Sequence, residues 1–227
     1  MSRQAIHDSG NPIKQVLVVD DHPIVRRGVS QLIDDQPDLA VCGEAESATA
    51  AIELMRSCSP DVAVVDLSLS DMGGISLVRD LRNWNSALLV LVLSMHDEVL
   101  HAERCLRAGA SGYIMKHQAT DRIVYAIREI LRGEIYLSER MKARVLHRLA
   151  GQGEDGQGES PLAALTDREL EVFQLLGRGL STREIASHLF LSIKTIETHR
   201  DHIKSKLSLG SGRELVRFAT SWYIEQA

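Results

Sequence analysis

Five short apolar segments alternate with five helical patterns over residues 14–131. The apolar segments, rich in β-branched residues, are Lys14–Asp20, Leu39–Gly43, Val62–Asp66, Leu88–Leu93 and Gly112–Met115. The helical patterns are Pro23–Ile33, Ala48–Arg56, Ile75–Leu81, Val99–Arg107 and Asp121–Leu131. This alternation is typical of a parallel sheet with helices on both faces and right-handed crossovers. It predicts a flavodoxin-like, doubly wound α/β domain over residues 13–134, with strand order 2-1-3-4-5.

Polar side chains stand at the C-terminal ends of four predicted strands. Asp20 and Asp21 end the first strand, Asp66 the third, Ser94 the fourth and Lys116 the fifth. Ligands of open parallel sheets bind outside these strand ends, and the predicted strand order brings strands 1 and 3 together there. Three carboxylates in one crevice need a cation, and oxygen ligands favour Mg²⁺. We predict that Asp66 is a nucleophile that forms an aspartyl phosphate.

The other groups have supporting roles in this prediction. The metal and Lys116 would neutralise charge on the transferring phosphoryl oxygens, and Ser94 would donate a hydrogen bond to one of them. Taken singly, each residue has an ordinary structural interpretation, because strand-end acids and serines are usually turn residues or helix caps. The prediction therefore rests on their joint positions.

Four segments of this region resemble the receiver domain of bacterial two-component response regulators. They read VVDDHPIVRRG, VVDLSLSDMGG, LVLSMHDE and GASGYIMK, within a resemblance that covers about residues 14–132. The resemblance implies that Asp66 takes phosphate from a sensor histidine kinase. It also implies that Asp20, Asp21, Asp66 and the backbone carbonyl of Ser68 hold Mg²⁺.

The same resemblance implies that Ser94 and Tyr113 form a switch pair. The hydroxyl would move to the phosphoryl group, and the aromatic ring would turn inward. By pattern alone, Tyr113 is equally an ordinary core aromatic. One departure is Ser70, where many relatives have a proline that would fix φ. We expect the serine to loosen this loop and to alter the lifetime of the phosphate.

A change of composition separates the predicted α/β domain from the C-terminal part of the chain. Residues 1–12 are predicted to be a disordered tail. Residues 135–160 contain a connector helix over 138–150 and a glycine-rich flexible linker, GQGEDGQGES. Residues 161–227 are helical in pattern throughout. Lys and Arg minus Asp and Glu gives 12 − 18 = −6 over residues 14–134 and 9 − 8 = +1 over residues 161–227. The two parts are therefore expected to have different partners.

Short capped helices followed by a longer one predict a four-helix domain with a helix-turn-helix. Capping boxes start at Thr166 and Ser181, and Ser192 caps the helix Ile193–Leu207. One face of that helix is apolar. The other face carries Lys194, Glu197, Thr198, Arg200, Asp201, Lys204 and Ser205. This polar face could contact DNA phosphates and base edges, but it is equally typical of a solvated surface.

Residues 165–219 resemble the LuxR-type DNA-binding domain of the NarL/FixJ subfamily. The similarity rests on LTDRELEVFQLLGRGLSTREIASHLFLSIKTIETHRDHIKSKL. It implies that Ile193–Leu207 enters the major groove of double-stranded DNA. The implied contacts to the DNA backbone are Lys194, Thr195, Arg200, Lys204 and Thr182, and the base-facing positions are Glu197, Thr198 and Asp201. The last helix, Arg213–Tyr223, would be a dimerisation element, although by pattern its Leu215, Val216 and Phe218 could equally be core.

The predicted function is that of a transcription regulator whose homodimerisation and DNA binding are promoted by phosphorylation of Asp66. The alternative is a constitutive DNA-binding protein that uses its receiver only as a dimerisation surface. A phosphohydrolase or phosphotransferase would need a general acid two residues after Asp66, where Ser68 stands, so we expect no turnover of an external substrate. No apolar run approaches the roughly 20 residues of a bilayer helix, and the three cysteines lack metal or redox spacing. We therefore expect a cytoplasmic protein with no membrane partner.

Overall fold

The first half of the chain is organised by a five-stranded sheet. Its strands are β1 (Lys14–Val19), β2 (Leu39–Ala45), β3 (Val62–Asp66), β4 (Leu89–Ser94) and β5 (Gly112–Met115). They are all parallel and lie in the order β2-β1-β3-β4-β5. The predicted flavodoxin-like topology is confirmed. It places the C-terminal ends of β1 and β3 side by side at the switch point of the sheet.

This computed structural model describes residues 12–69, 71–95, 98–149 and 161–226. Most of the predicted N-terminal tail, Ser70 and the predicted glycine-rich linker lie outside the described residues. The described residues form two compact units, the first built on the sheet and the second on the C-terminal helices. None of the described helices is long and apolar enough to cross a membrane.

Five helices alternate with the strands of the sheet, and a sixth follows them in sequence within the second compact unit. They are α1 (Pro23–Asp34), α2 (Ala48–Cys58), α3 (Gly74–Trp84), α4 (Glu98–Ala108), α5 (Ala119–Leu131) and α6 (Glu139–Leu149), with a 3₁₀ turn at Lys116–Gln118. Several elements extend beyond their predicted ends, among them α3 and β2. α3 continues past Leu81 because no glycine or proline follows before Asn85. β2 continues past Gly43 because Glu44 and Ala45 pair with Val18 and Val19 of β1. At Gly43 itself, Leu54 Cδ1 would lie 3.3 Å from an added Cβ.

Apolar side chains cover both faces of the sheet. α1 and α5 pack on one face, where Val16, Val64 and Ile114 join a single buried core with residues of these helices. α2 and α3 pack on the opposite face. The central strand β3 is buried at every residue, as expected for a parallel strand that is covered on both sides. The polar groups at the strand ends are thereby held on a rigid scaffold.

Gly74 fixes the approach of α3 to the end of β3. A Cβ at this position would lie 2.5 Å from the backbone oxygen of Asp66 and 2.5 Å from the Cα of Leu67. The Gly74 N–H also donates to the Leu67 carbonyl at 3.1 Å. The neighbouring atoms belong to the backbone, so they cannot move aside as a side chain would.

We expect Gly74→Ala to lower the free energy of unfolding by about 1–3 kcal/mol, the usual cost of overpacking. The matched control is Gly28→Ala in α1, where an added Cβ would have no neighbour within 4 Å. This control should be neutral or stabilising by about 0.5–1 kcal/mol, because alanine loses less entropy in a helix. Urea denaturation of the full chain measures both changes. Equal effects of the two substitutions would contradict the close approach at Gly74.

Four helices of the second unit surround a separate core. They are α7 (Asp167–Gly177), α8 (Thr182–His188), α9 (Ile193–Lys206) and α10 (Gly212–Gln226), preceded by a 3₁₀ turn at Pro161–Ala164. Both predicted capping boxes are present, at Thr166 and at Ser181. The described core includes Phe173 in α7, whose ring contacts those of Phe218 and Trp222 in α10.

Candidate functional site

The strand ends bring two buried carboxylates to one lysine. Asp66 is the last residue of β3 and is fully buried, and Asp20, which follows β1, is 1% exposed. Lys116 follows β5, and its Nζ lies 2.7 Å from Asp66 Oδ2 and 2.8 Å from Asp20 Oδ2. The C-terminal ends of three strands therefore place one ammonium group in contact with two carboxylates.

Burial and charge oppose each other in this group. Burial raises the pKa of Asp66 above its ordinary value, although the Lys116 ammonium pulls in the other direction. Burial also lowers the pKa of Lys116, but the adjacent carboxylates of Asp66 and Asp20 outweigh this effect and raise it overall. The lysine is therefore held protonated, as a fixed positive charge beside the oxygen that would carry a phosphoryl group.

Asp21 and His22 complete a cluster with the donor set of a metal site. One ligand atom from each of Asp20, Asp21, His22 and Asp66 lies within 4.8 Å of the others. Asp20 Oδ2 lies 2.8 Å from Lys116 Nζ, and Asp21 Oδ1 lies 2.7 Å from His22 Nδ1. Carboxylate oxygens gathered from three side chains suit a hard divalent cation such as Mg²⁺. The residues thus fit the predicted ion.

Backbone N–H groups donate hydrogen bonds to two carboxylates at the end of β3 and in the loop that follows it. The Ser68 N–H donates to Asp66 Oδ1 at 3.2 Å, which orients the carboxylate. Further along, the Asp71 carboxylate accepts hydrogen bonds from the N–H groups of Ala48 and Thr49 at the start of α2, both at 3.0 Å. The role of the Ser68 carbonyl as a metal ligand stays a prediction.

Ser94 and Tyr113 lie on adjacent strands near the carboxylates. Ser94 ends β4 and is fully buried. Tyr113, in β5, pairs with Val92 in the sheet and is only 1% exposed. The Tyr113 N–H donates to the Tyr136 carbonyl at 2.8 Å, so the chain after α5 covers the outer edge of β5. In the pairing of β4 with β5, Ser94 lies opposite Met115, which is two residues after Tyr113. The Tyr113 ring of this predicted switch pair is buried.

Two groups near the carboxylates were missed by sequence reasoning. His22 caps α1, and its Nδ1 lies 2.7 Å from Asp21 Oδ1. Arg26, one turn into α1, donates from its guanidinium to the Asp20 carbonyl at 2.6 Å and lies 3.4 Å from Glu44 Oε2. The sequence signal was their position just after Asp20 and Asp21, at the start of the helix that follows β1.

In the second unit, α9 presents the predicted polar face. Ser192 caps this helix by accepting from the Thr195 N–H at 3.0 Å, and Ile196 and Ile203 anchor it in the core. The exposed residues among the predicted DNA contacts are Lys194, Glu197, Thr198 and Asp201, while Thr182, Thr195, Arg200 and Lys204 are partly exposed. The structure therefore leaves the whole predicted set accessible to some degree within this unit.

Two contacts organise the predicted DNA-binding face. The Arg200 guanidinium donates to the Thr182 hydroxyl, which links two predicted phosphate contacts on successive helices. Asp201 forms an ion pair with Lys204 at 2.9 Å, and the hydrogen bond from Lys204 holds the pKa of Asp201 below its ordinary value. Asp201 is thus a charged hydrogen-bond acceptor at a predicted base-facing position.

The helices that carry this face are fixed by a buried carboxylate. Glu169 closes the capping box of α7, with its carboxylate 2.7 Å from the Thr166 N–H. The same carboxylate accepts from Lys206 Nζ, at the end of α9, at 2.6 Å. Burial works to raise the pKa of Glu169, but these donors outweigh it and lower the pKa. Glu169 therefore joins α7 and α9.

Comparison with known proteins matches both units. The family model of the response regulator receiver domain matches residues 16–128, and that of bacterial regulatory proteins of the luxR family matches residues 163–219. The oxygen regulatory protein NreC of Staphylococcus carnosus is 32% identical over 209 residues, which make up 90% of this chain and 96% of that protein.

Two solved structures are also similar over most of the chain. RcsB from Salmonella enterica serovar Typhimurium, bound to promoter rprA in the presence of phosphomimetic BeF3-, matches with a TM-score of 0.66 and 25% identity over 91% of this chain and 98% of that chain. A structure of two RcsB dimers bound to two parallel DNAs matches with a TM-score of 0.55 and 25% identity, over 94% of this chain and 98% of that chain.

Proposed function

The chain belongs to the two-component response regulators that combine a receiver domain with a LuxR-type helix-turn-helix domain, and from this membership we propose how its signal is received and transmitted. A sensor histidine kinase transfers a phosphoryl group to Asp66. Phosphorylation promotes homodimerisation and binding to double-stranded DNA, where the protein regulates transcription. We assign residues 13–134 to the receiver, residues 135–160 to the connector and residues 161–227 to the DNA-binding domain.

The observation that carries the proposal is the contact of Asp66 with Lys116. Asp66 is fully buried at the end of β3, and its Oδ2 lies 2.7 Å from the lysine Nζ. A structural aspartate at a strand end would be satisfied by solvent or by a helix cap. A buried carboxylate beside a fixed cation is instead suited to nucleophilic attack, because the cation can stabilise negative charge that develops on the transferred group.

In the proposed reaction an Asp66 carboxylate oxygen attacks the phosphorus of the phosphohistidine. The new bond is an acyl phosphate, and the phosphorus–nitrogen bond to the kinase histidine breaks. Lys116 neutralises charge on the phosphoryl oxygens, and Ser94 donates a hydrogen bond to one of them. Asp20, Asp21, Asp66 and the Ser68 carbonyl would hold Mg²⁺, which supplies further positive charge at the transferring group.

Turnover of an external phosphoester is not part of the proposal. Such an enzyme would need a general acid two residues after the nucleophile, and Ser68 stands there. The Ser68 hydroxyl has no acidic proton near neutral pH to give a leaving group. Asp66 is therefore a phosphoacceptor that carries a signal.

Phosphorylation acts on DNA binding by shifting an equilibrium that already exists in the free protein. Ser94 moves to the phosphoryl group and the Tyr113 ring turns inward, which transmits phosphorylation to the rest of the receiver. The DNA-binding domains then pair on two half-sites about one helical turn apart. RcsB, which has been solved with promoter DNA and a phosphomimetic and also as dimers on DNA, supports this order of events by similarity.

Within the DNA-binding domain, α9 enters the major groove. Glu197, Thr198 and Asp201 face base edges, where acids accept from cytosine amino groups. Lys194, Thr195, Arg200, Lys204 and Thr182 contact the DNA backbone. Because residues 161–227 have a net charge of only 9 − 8 = +1, the affinity depends on these local cations and on pairing of the two subunits.

Arg200→Ala is expected to weaken DNA binding to a similar extent for all sequences. The substitution removes one phosphate contact and the anchor of Thr182, so the slope of log affinity against log salt should fall by about 1. Fluorescence anisotropy with labelled duplex at several salt concentrations measures the slope. Arg27→Ala, which removes an exposed cation of α1, is the control and should leave the slope unchanged. A slope unaffected by Arg200→Ala would remove this residue from the DNA interface.

A further inference from the structure

Two of the three cysteines lie next to each other in the receiver, although they are far apart in sequence. Cys42 lies in β2 and Cys58 is the last residue of α2, so 58 − 42 = 16 positions separate them. Both are free thiols and both are half-buried. The two thiols share a hydrogen bond. Because this spacing matches no short redox motif, the pair arises only from the packing of α2 on β2.

A β-bulge in β2 faces the end of α2. Val41 and Gly43 pair with successive residues of β1, so Cys42 is the extra residue between them. A bulge redirects the side chains of the strand that contains it. A Cβ added at Gly43 would lie 3.6 Å from Cys58 Sγ, so the end of α2 packs directly on the bulge. The missing side chain of Gly43 thus leaves room for the Cys58 sulfur beside Cys42.

The surroundings of the two thiols differ. The Cys58 thiol donates to the Leu54 carbonyl, one helical turn earlier, at 3.0 Å. Burial, followed by the hydrogen bond with Cys58, raises the pKa of the Cys42 thiol to about 12. Because the thiolate is the attacking species, Cys42 does not react first with an oxidant. The first attack therefore falls to Cys58, and Cys42 is the neighbour that can complete a disulfide.

We propose that Cys42 and Cys58 form a redox modification site, at which a small-molecule disulfide oxidises the pair to an intramolecular disulfide. The Cys58 thiolate attacks one sulfur of the oxidant, forms a mixed disulfide and releases the other sulfur as a thiolate. This thiolate takes the proton of Cys42, whose sulfur then attacks the Cys58 sulfur. The remaining half of the oxidant leaves as a second thiolate, which takes up the proton that Cys58 lost. The two cysteines lose two electrons and two protons in total, and the oxidant becomes two thiols.

This site is separate from the acidic crevice and does not rest on the proposed phosphorylation of Asp66. The disulfide joins the C-terminal end of α2 to β2. The N-terminal end of α2 is already held by Asp71, in the loop after β3. Disulfides in compartments that keep thiols reduced are mostly transient, and many sense redox state. The pair therefore gives the receiver a second chemical input, which fixes the helix at both ends.

Counting the free thiols of the full chain tests the proposal. The chain is incubated with oxidised glutathione, quenched in acid, denatured, alkylated with N-ethylmaleimide and weighed by mass spectrometry. The reduced wild-type chain has three cysteines and takes three alkyl groups. We expect the oxidised chain to take only one, a peptide map to show a link between Cys42 and Cys58, and dithiothreitol to restore all three groups.

Single variants separate the roles of the two thiols. Cys42→Ser should retain one glutathione on Cys58, because the mixed disulfide has no neighbouring thiol to resolve it. Cys58→Ser should retain none on Cys42, which stays protonated. Cys105→Ala, which removes a fully buried thiol of α4, is the control and should still form the link.

Three alkyl groups on the wild-type chain after oxidation would overturn the proposal. A link that involves Cys105, or one between two chains, would overturn it as well, because either would show that Cys42 and Cys58 are not the reacting pair. Glutathione on Cys42 in Cys58→Ser, with none on Cys58 in Cys42→Ser, would overturn the assignment of Cys58 as the attacking thiol.

Discussion

Asp66→Asn is expected to abolish covalent phosphorylation while leaving the protein folded. The amide has nearly the shape of the carboxylate, but it lacks the nucleophilic oxygen that attacks phosphorus. Incubation with acetyl phosphate and Mg²⁺ followed by intact-mass analysis should show a phosphorylated species for the wild-type chain and only background for the variant. Asp80→Asn is the control, since Asp80 is exposed on α3 and should leave phosphorylation unchanged. Hydroxylamine-sensitive phosphate on Asp66→Asn would refute the assignment of the phosphoacceptor.

The stability of Asp66→Asn separates loss of chemistry from loss of fold. Burial raises the pKa of Asp66 in the folded protein, so the folded state binds more protons than the unfolded state as the pH rises through this group. Stability contributed by this group therefore falls with rising pH, and its ionised form is a cost at neutral pH. We expect Asp66→Asn to unfold at the same or a higher temperature than the wild type near pH 7. A large fall in Tm would mean that the carboxylate supports the fold.

Lys116→Gln is expected to have the largest effect on stability. It leaves the buried carboxylates of Asp66 and Asp20 without the ammonium that lies 2.7 and 2.8 Å from them. Breaking a buried ion pair on one side typically costs about 3–5 kcal/mol, because the remaining charge is uncompensated. Urea denaturation in the presence of a metal chelator measures this change. Phosphorylation by acetyl phosphate should also fall, since the lysine no longer neutralises the transferring oxygens.

Acid and magnesium should each offset the effect of Lys116→Gln. Without the ammonium, nothing opposes the effect of burial on Asp66, so the pKa of its carboxyl group rises further and the unfolded state loses this proton at lower pH than the folded state does. The variant should consequently gain stability as the pH falls towards the ordinary range of a carboxyl group. Mg²⁺ should restore stability by binding only the folded state. A variant as stable as the wild type near pH 7 without metal would contradict the buried ion pair.

Lys142→Gln in α6 is the matched control for this experiment. It also removes a lysine from an ion pair, but Lys142 and Glu139 are 43% and 90% exposed. An exposed pair contributes at most about 1 kcal/mol, and often less. The comparison isolates the effect of burial from that of the charge itself.

The fold of the receiver is predictable because apolar residues recur with different periodicities in its strands and its helices. The apolar run before Asp66 is too short for a helix, and it became the fully buried β3. Parallel strands then place their C-terminal ends along one edge, so the strand order brings Asp20 and Asp66 side by side, and the long side chain of Lys116 reaches both from β5. Capping boxes likewise located the starts of α7 and α8, because they satisfy N–H groups that a helix start leaves free.

Features that depend on close approach were not predictable from the same patterns. Gly74 looks like one of two loop glycines in sequence, and only the position of α3 shows that a Cβ would collide with the backbone of Asp66. Asp71 reads as another loop acid, whereas it holds the start of α2. His22 follows an acidic pair, but its contact with Asp21 depends on the direction of α1. Each of these required the relative placement of two elements.

The predicted DNA-binding domain also has features that the sequence pattern predicts and features that it does not. The 3.6-residue pattern correctly assigned Ile196 and Ile203 to the core, which leaves the polar residues of α9 outward. The sequence pattern alone did not decide whether Leu215, Val216 and Phe218 belong to the core or to a dimer interface. The structure buries Leu215 and packs Phe218 against Phe173, while Val216 is 37% exposed. Val216 is therefore the most exposed of the three, and Phe218 is partly exposed.

We propose that phosphate on Asp66 controls DNA binding by the C-terminal domain. To test this control, the affinity of the full chain for a duplex selected by the protein itself is measured with and without acetyl phosphate at one fixed salt concentration. The wild-type chain should bind more tightly when phosphorylated, and Asp66→Asn should bind with the unphosphorylated affinity under both conditions. Equal affinity of the wild-type chain in both states would contradict the claim and would favour a constitutive regulator whose receiver serves only as a dimerisation surface.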